Sequence, residues 1–88
     1  MVKKYRLQNN TIEAILYDGT NYDEVASFCR GNAYKPFYID KGVRLFTLNT
    51  RFGETHVKPN QYVLRIGYRL FIAVDASIFL DRYEEITE

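Results

Sequence analysis

Few side chains in this sequence are of the kind that do chemistry. It holds one histidine, His56, and one cysteine, Cys29. A lone histidine can act as a general acid or base near neutral pH, or ligate a metal. His56 has no second histidine to work with, and no Ser-His-Asp or Cys-His spacing surrounds it. Cys29 falls on the apolar stripe of a predicted helix, where a cysteine acts as a small buried hydrophobe. One histidine and one cysteine make a poor ligand set for zinc. The five glycines are scattered one to a turn, so no phosphate loop is present. These residues predict a binding protein with no catalytic group, no metal and no cofactor.

Two groups of residues suit binding. The segment from Tyr62 to Val74 reads as a hairpin turning at Gly67, and that register puts Tyr62, Arg69 and Phe71 on one face. The other face carries Val63, Leu70, Ile72 and Val74, an aliphatic block that should meet the core. Tyr62, Arg69 and Phe71 are therefore expected towards solvent or a partner, where rings stack and a guanidinium grips phosphate; the plainer reading is that Arg69 lies over Tyr62 on an ordinary sheet surface. The second group is basic: Arg44, Arg51, His56 and Lys58 fall on neighbouring strands of a middle hairpin. A turn at Phe52-Gly53 or Gly53-Glu54 brings Arg51 near His56, a pair that could hold a phosphate. A solvated rim is the plainer reading of that pair, with Glu54 offsetting it.

The elements that must position them follow from periodicity. Thr11 to Tyr17 reads as a strand ended by Asp18-Gly19. Asn21 can cap a helix, with Glu24 as the reaching partner of a capping box. Tyr22, Val25, Ala26 and Cys29 then form one apolar stripe, and Gly31 stands where the helix should end. A helix of about nine residues is too short to be stable alone and must pack on a sheet. Pro36 to Ile39 predicts a short edge strand, Lys41-Gly42 a turn, and Val43 to Thr50 an alternating strand paired with Thr55 to Lys58. Pro59-Asn60 is another turn. Asp75 to Phe79 reads as a single helical turn capped by Asp75, and Leu80 to Ile86 as a last strand. The expected class is α+β: a single small domain over 1–88, with one short helix on a curved, mostly antiparallel sheet or partial barrel of five to six strands.

Composition bounds the partners. Eighty-eight residues make one domain, and a chain this short buries only about 60–65% of its unfolded surface. With no disulfide and no metal, oligomerisation is the open route to extra stability, so a homo-oligomer is expected. Eight tyrosines and six phenylalanines with no tryptophan favour contact surfaces. A net charge of +1 makes no strong case for nucleic acid held by phosphate contacts. The mixed-charge Asp81-Arg82-Tyr83-Glu84-Glu85 tail reads as solvated. No apolar run approaches the roughly 18–20 residues that span a membrane, and no signal peptide is evident. The expected location is the cytoplasm.

The order of these motifs resembles a group of small bacteriophage and prophage proteins. That group opens on a strand reading E-A-x-x-x-x-G, followed by a short helix and a pair of strands. A P-G-D-Y or P-G-D-W turn, a hairpin ending in an aromatic, a P-D-x-F turn and a closing T-Y-E complete the pattern. Glu13-Ala14 and Gly19 match the opening, and Pro59-Asn60-Gln61-Tyr62 stands at the turn. Tyr68-Arg69-Leu70-Phe71 matches the hairpin return, Asp75-Ala76-Ser77-Ile78-Phe79 the P-D-x-F turn, and Tyr83-Glu84 the tail. Asn60-Gln61 replaces the Gly-Asp pair, so a role for that carboxylate does not carry over. The resemblance implies a phage origin, the cytoplasm of an infected bacterium, and an accessory role against host defence.

Two functions are consistent with these features. One is a sponge that sequesters a nucleotide immune signal, such as a cyclic oligonucleotide or an ADP-ribose derivative, through Tyr62, Arg69 and Phe71 with Arg51, His56 and Lys58 nearby. The other is a protein inhibitor whose exposed Tyr, Arg and Phe residues anchor a host or defence enzyme.

Overall fold

Where apolar residues occupy both phases of a strand, both faces of its sheet must be covered. Ala14-Ile15-Leu16-Tyr17 and Tyr62-Val63-Leu64 are such runs, and they form neighbouring strands at the heart of the protein. The computed structural model describes residues 2–7, 10–34, 37–39, 43–68 and 70–86. Along the chain it shows β1 (Lys3–Leu7), β2 (Asn10–Tyr17), α1 (Tyr22–Cys29), β3 (Phe37–Ile39), β4 (Val43–Thr50) and β5 (Gly53–Val57). There follow β6 (Gln61–Gly67), β7 (Leu70–Asp75), α2 (Ala76–Arg82) and β8 (Glu84–Glu85).

The fold is α+β and the sheets are antiparallel, as expected. A five-stranded sheet has the order β7-β6-β2-β1-β8 and does not close, and a three-stranded sheet has the order β3-β4-β5. Where one helix is expected, the described residues form two. The turn placed at Asp75 to Phe79 continues as a helix to Arg82, which leaves only Glu84–Glu85 of the predicted last strand. The described residues form eight strands where five or six are expected; one that the sequence does not signal is Lys3–Leu7, which pairs antiparallel to β2. Its charge hid it: Tyr5 is buried, while Lys3, Lys4 and Arg6 stay in solvent. The predicted turn at Lys41-Gly42 and the start of a strand at Pro36 lie outside the described residues.

The five-stranded sheet separates two cores. On one side Ile15, Tyr17, Val63 and Phe71 pack with Val25 and Cys29 of α1 and with Phe46, Leu48 and Val57 of the smaller sheet. On the other side Tyr5, Ala14, Tyr62 and Leu64 pack beneath Ala76 and Phe79 of α2. Phe79 is the hub of this second core. Its ring meets Tyr5 edge-on at 4.6 Å and stacks on Tyr83 at 4.7 Å, with Tyr62 tilted against it at 4.4 Å. Such ring pairs each contribute about 0.5–1.5 kcal/mol beyond the area they bury.

Asn21 stands at the N-cap of α1, but its side chain makes no cap hydrogen bond. Its Nδ2 donates instead to the Leu16 carbonyl at 2.8 Å and to Glu24 at 3.3 Å, which ties the helix back to β2. Asp18 organises the turn, accepting from the Thr20 backbone and hydroxyl and from the Asn21 N–H. The hydrogen bonds from Thr20 hold the Asp18 carboxyl below its usual range. The helix ends with Arg30 in the left-handed region, one residue before the expected Gly31.

The Pro59-Asn60 turn locks the two sides together. The Asn60 N–H donates to the Tyr17 carbonyl at 2.7 Å, and its carbonyl accepts from Ala76 N–H at 3.0 Å. Asn60 makes both bonds at φ 71°, where asparagine and glycine sit with least strain. Asn60→Ala should lose about 1 kcal/mol in urea denaturation, whereas Asn60→Gly should stay within a few tenths of the parent.

Candidate functional site

The expected binding face is not assembled. The β6–β7 pairing runs Tyr62↔Val74, Leu64↔Ile72 and Arg65↔Phe71, then Gly67↔Leu70, so a bulge falls at Ile66 between Arg65 and Gly67. One extra residue shifts the register by one and sends Tyr62 and Phe71 to opposite faces. Both are buried, Tyr62 in the core under α2 and Phe71 at 1% exposure in the core under α1. Arg69 lies outside the described residues.

The basic group is also dispersed. The turn of the β4–β5 hairpin is Arg51-Phe52, and His56 pairs with Thr47, its Nδ1 lying 3.3 Å from Thr47 Oγ1. Arg51 instead lies over the ring of Phe52 at 5.6 Å, and that ring is 84% exposed. Lys58 follows the far end of β5, away from the turn and two residues past His56, with its N–H bonded to Gln61 Oε1. Arg44 is half-buried on β4. Its carbonyl accepts from the Tyr17 hydroxyl at 3.0 Å, and its buried Nε has no hydrogen-bond partner among the described residues.

A different constellation is brought together. Glu13 on β2 and Arg65 on β6 are direct cross-strand partners and form an ion pair at 3.4 Å. They occupy the α1 side of the sheet, beyond the part that the smaller sheet covers. Helix α1 sets Glu24 and Phe28 over them, with Arg30 just past its end and Val2 at the edge, around a cleft of about 410 Å³. The Phe28 ring is half-buried and meets Phe71 edge-on at 5.5 Å, which gives the cleft a fixed apolar wall. The Arg65 and Glu13 side chains are 28% and 41% exposed, so both can reach solvent or a ligand.

Sequence reasoning passed over Glu13, Phe28, Arg30 and Arg65 as site residues. Glu13 and Arg65 interrupt otherwise apolar strands, which is a visible signal, but their juxtaposition needs the β2–β6 pairing across 52 positions of chain. Among the described residues no group of three His, Cys, Asp or Glu side chains could hold a metal ion, and no helix is long and apolar enough to cross a membrane.

Burial pushes the Cys29 thiol up to about 12 from an ordinary 9.0. The folded protein therefore keeps the proton to higher pH than the unfolded chain. The Cys29 contribution is fully present below about pH 9 and is lost as pH rises towards about 12. Tyr5, raised chiefly by burial, adds to the same loss at still higher pH. Urea midpoints measured between about pH 8 and about pH 10 should fall with pH, and less steeply in Cys29→Ala. Tyr62→Ala and Phe71→Ala should each destabilise by about 3–5 kcal/mol in urea, while Phe52→Ala should stay within about 0.5 kcal/mol of the parent.

No protein-family model matches the chain, and neither a curated protein nor a solved structure is significantly similar to it, so the likeness to small phage proteins rests on the motifs alone.

Proposed function

We propose that this protein is a non-enzymatic phage accessory protein that binds and sequesters a nucleotide-type small molecule in the cleft beside α1. The observation that carries the reading is the cleft itself. Two guanidinium groups, Arg30 and Arg65, and two carboxylates, Glu13 and Glu24, share a concavity of about 410 Å³ with the wall of Phe28. That volume lies within the range of small-molecule sites, about 300–1,000 Å³. Guanidinium groups pair with phosphate oxygens in a planar, two-pronged way, and an aromatic wall offers a base a surface. Binding of this kind needs no general acid, base or nucleophile. The cleft is open on one side, so a second copy closing over it would bury more of the ligand, consistent with a homo-oligomer.

A second reading keeps one specific support. Phe52, 84% exposed at a hairpin tip with Arg51 lying over it, is the kind of side chain that anchors a protein partner. In that reading the chain inhibits a host or defence enzyme.

Thermal melts against cyclic dinucleotides, cyclic trinucleotides and ADP-ribose derivatives separate the two. A ligand at about 100 times its dissociation constant adds about 2.7 kcal/mol, a shift of roughly 10–20 °C for a domain this small. The expected outcome is such a shift for at least one nucleotide, lost in Arg30→Gln. A flat panel overturns the nucleotide reading in favour of a protein target.

A further inference from the structure

Within the nucleotide reading, on which this inference rests, we infer that the cleft selects guanine, through the Glu13–Arg65 pair. The two side chains stand next to each other on adjacent strands and face the same cleft. A carboxylate offers two acceptors and a guanidinium offers paired donors. Read across the pair, the protein presents acceptor, acceptor, donor, donor. Guanine presents the complement along two adjoining edges: the N2 and N1 hydrogens donate, and O6 and N7 accept. Adenine presents an acceptor at N1, a donor at N6 and an acceptor at N7, and fits neither half.

The pair is built loosely enough to accept such a ligand. Its one contact, Arg65 Nη1 to Glu13 Oε1, is 3.4 Å long, near the limit for a hydrogen bond, and both side chains are partly solvated. A single long contact between partly solvated charges holds them weakly, so replacing it with two forked ones is favourable. Phe28 lies beside the pair as the wall a purine ring would meet, and Arg30 is the remaining cation for the phosphate. Glu13 therefore reads the N1–N2 edge, Arg65 reads the O6–N7 edge, and Arg30 neutralises charge without choosing the base.

Calorimetric titration of the purified chain with GMP and AMP tests the assignment, with far-UV circular dichroism checking the fold of each variant. GMP should bind at least about tenfold tighter than AMP, since each forked base contact discriminates by about that factor or more. Glu13→Gln keeps the shape but loses one acceptor, and should reduce the preference towards unity with the fold intact. Cyclic di-GMP and cyclic di-AMP, run alongside, separate a free mononucleotide from a cyclic signal, and a preference for either guanine compound over its adenine counterpart supports the assignment. Equal affinities for guanine and adenine compounds overturn guanine selection and leave the nucleotide reading standing. Heat-silent titrations with all four overturn both.

Discussion

The structure depends on a sheet that is buried on both of its faces. Its central strand, β2, sends Ile15 and Tyr17 to one core and Ala14 to the other, and none of these side chains is exposed. A strand of this kind must have cover above and below, and 88 residues leave little chain from which to build it. The answer is asymmetric. One face receives α1 together with the three-stranded sheet, and the other receives the short helix α2. Neither helix could persist alone at seven or eight residues, so each exists because the sheet offers it an apolar surface.

The two sides are held in step at a few points. The Asn60 backbone joins the end of β2 to the start of α2. The Asn21 side chain joins α1 to the carbonyl of Leu16. Gly19, at φ 92°, lies so close to Pro59 that an added Cβ would stand 3.2 Å from its Cγ, which brings the first and the later turn into contact. The cleft is a consequence of this arrangement. The smaller sheet covers only part of the α1 face, and the stretch left over carries Glu13 and Arg65. Two charges in the middle of a sheet are tolerable there because they face each other and keep some water.

Much of the local structure is legible in the residues. The α1 stripe of Tyr22, Val25 and Cys29, the alternation of Val43 to Thr50 and the turns at Asp18-Gly19 and Pro59-Asn60 each follow from spacing or turn chemistry. The β6–β7 hairpin was legible as a hairpin but not in its register. Gly67 is a strong turn signal, yet it pairs with Leu70 and the bulge precedes it. Alternation gives no warning, because Tyr62 to Leu64 and Phe71 to Val74 are apolar in both phases. A bulge therefore exchanges one apolar set for another at no cost to the pattern. Arg51 and His56 were separated for a similar reason: the turn falls one residue earlier than the glycine suggests.

The sequence by itself determined the α+β class, the position of α1, the antiparallel hairpins and the burial of Cys29, since these rest on periodicity and turn chemistry over a few residues. Tertiary structure alone decided which face each aromatic joins, that α2 caps the second face, and that Glu13 meets Arg65. Those outcomes depend on strand order and on one inserted residue in a ladder. A local pattern carries neither, because it records the period of a strand and not its partner.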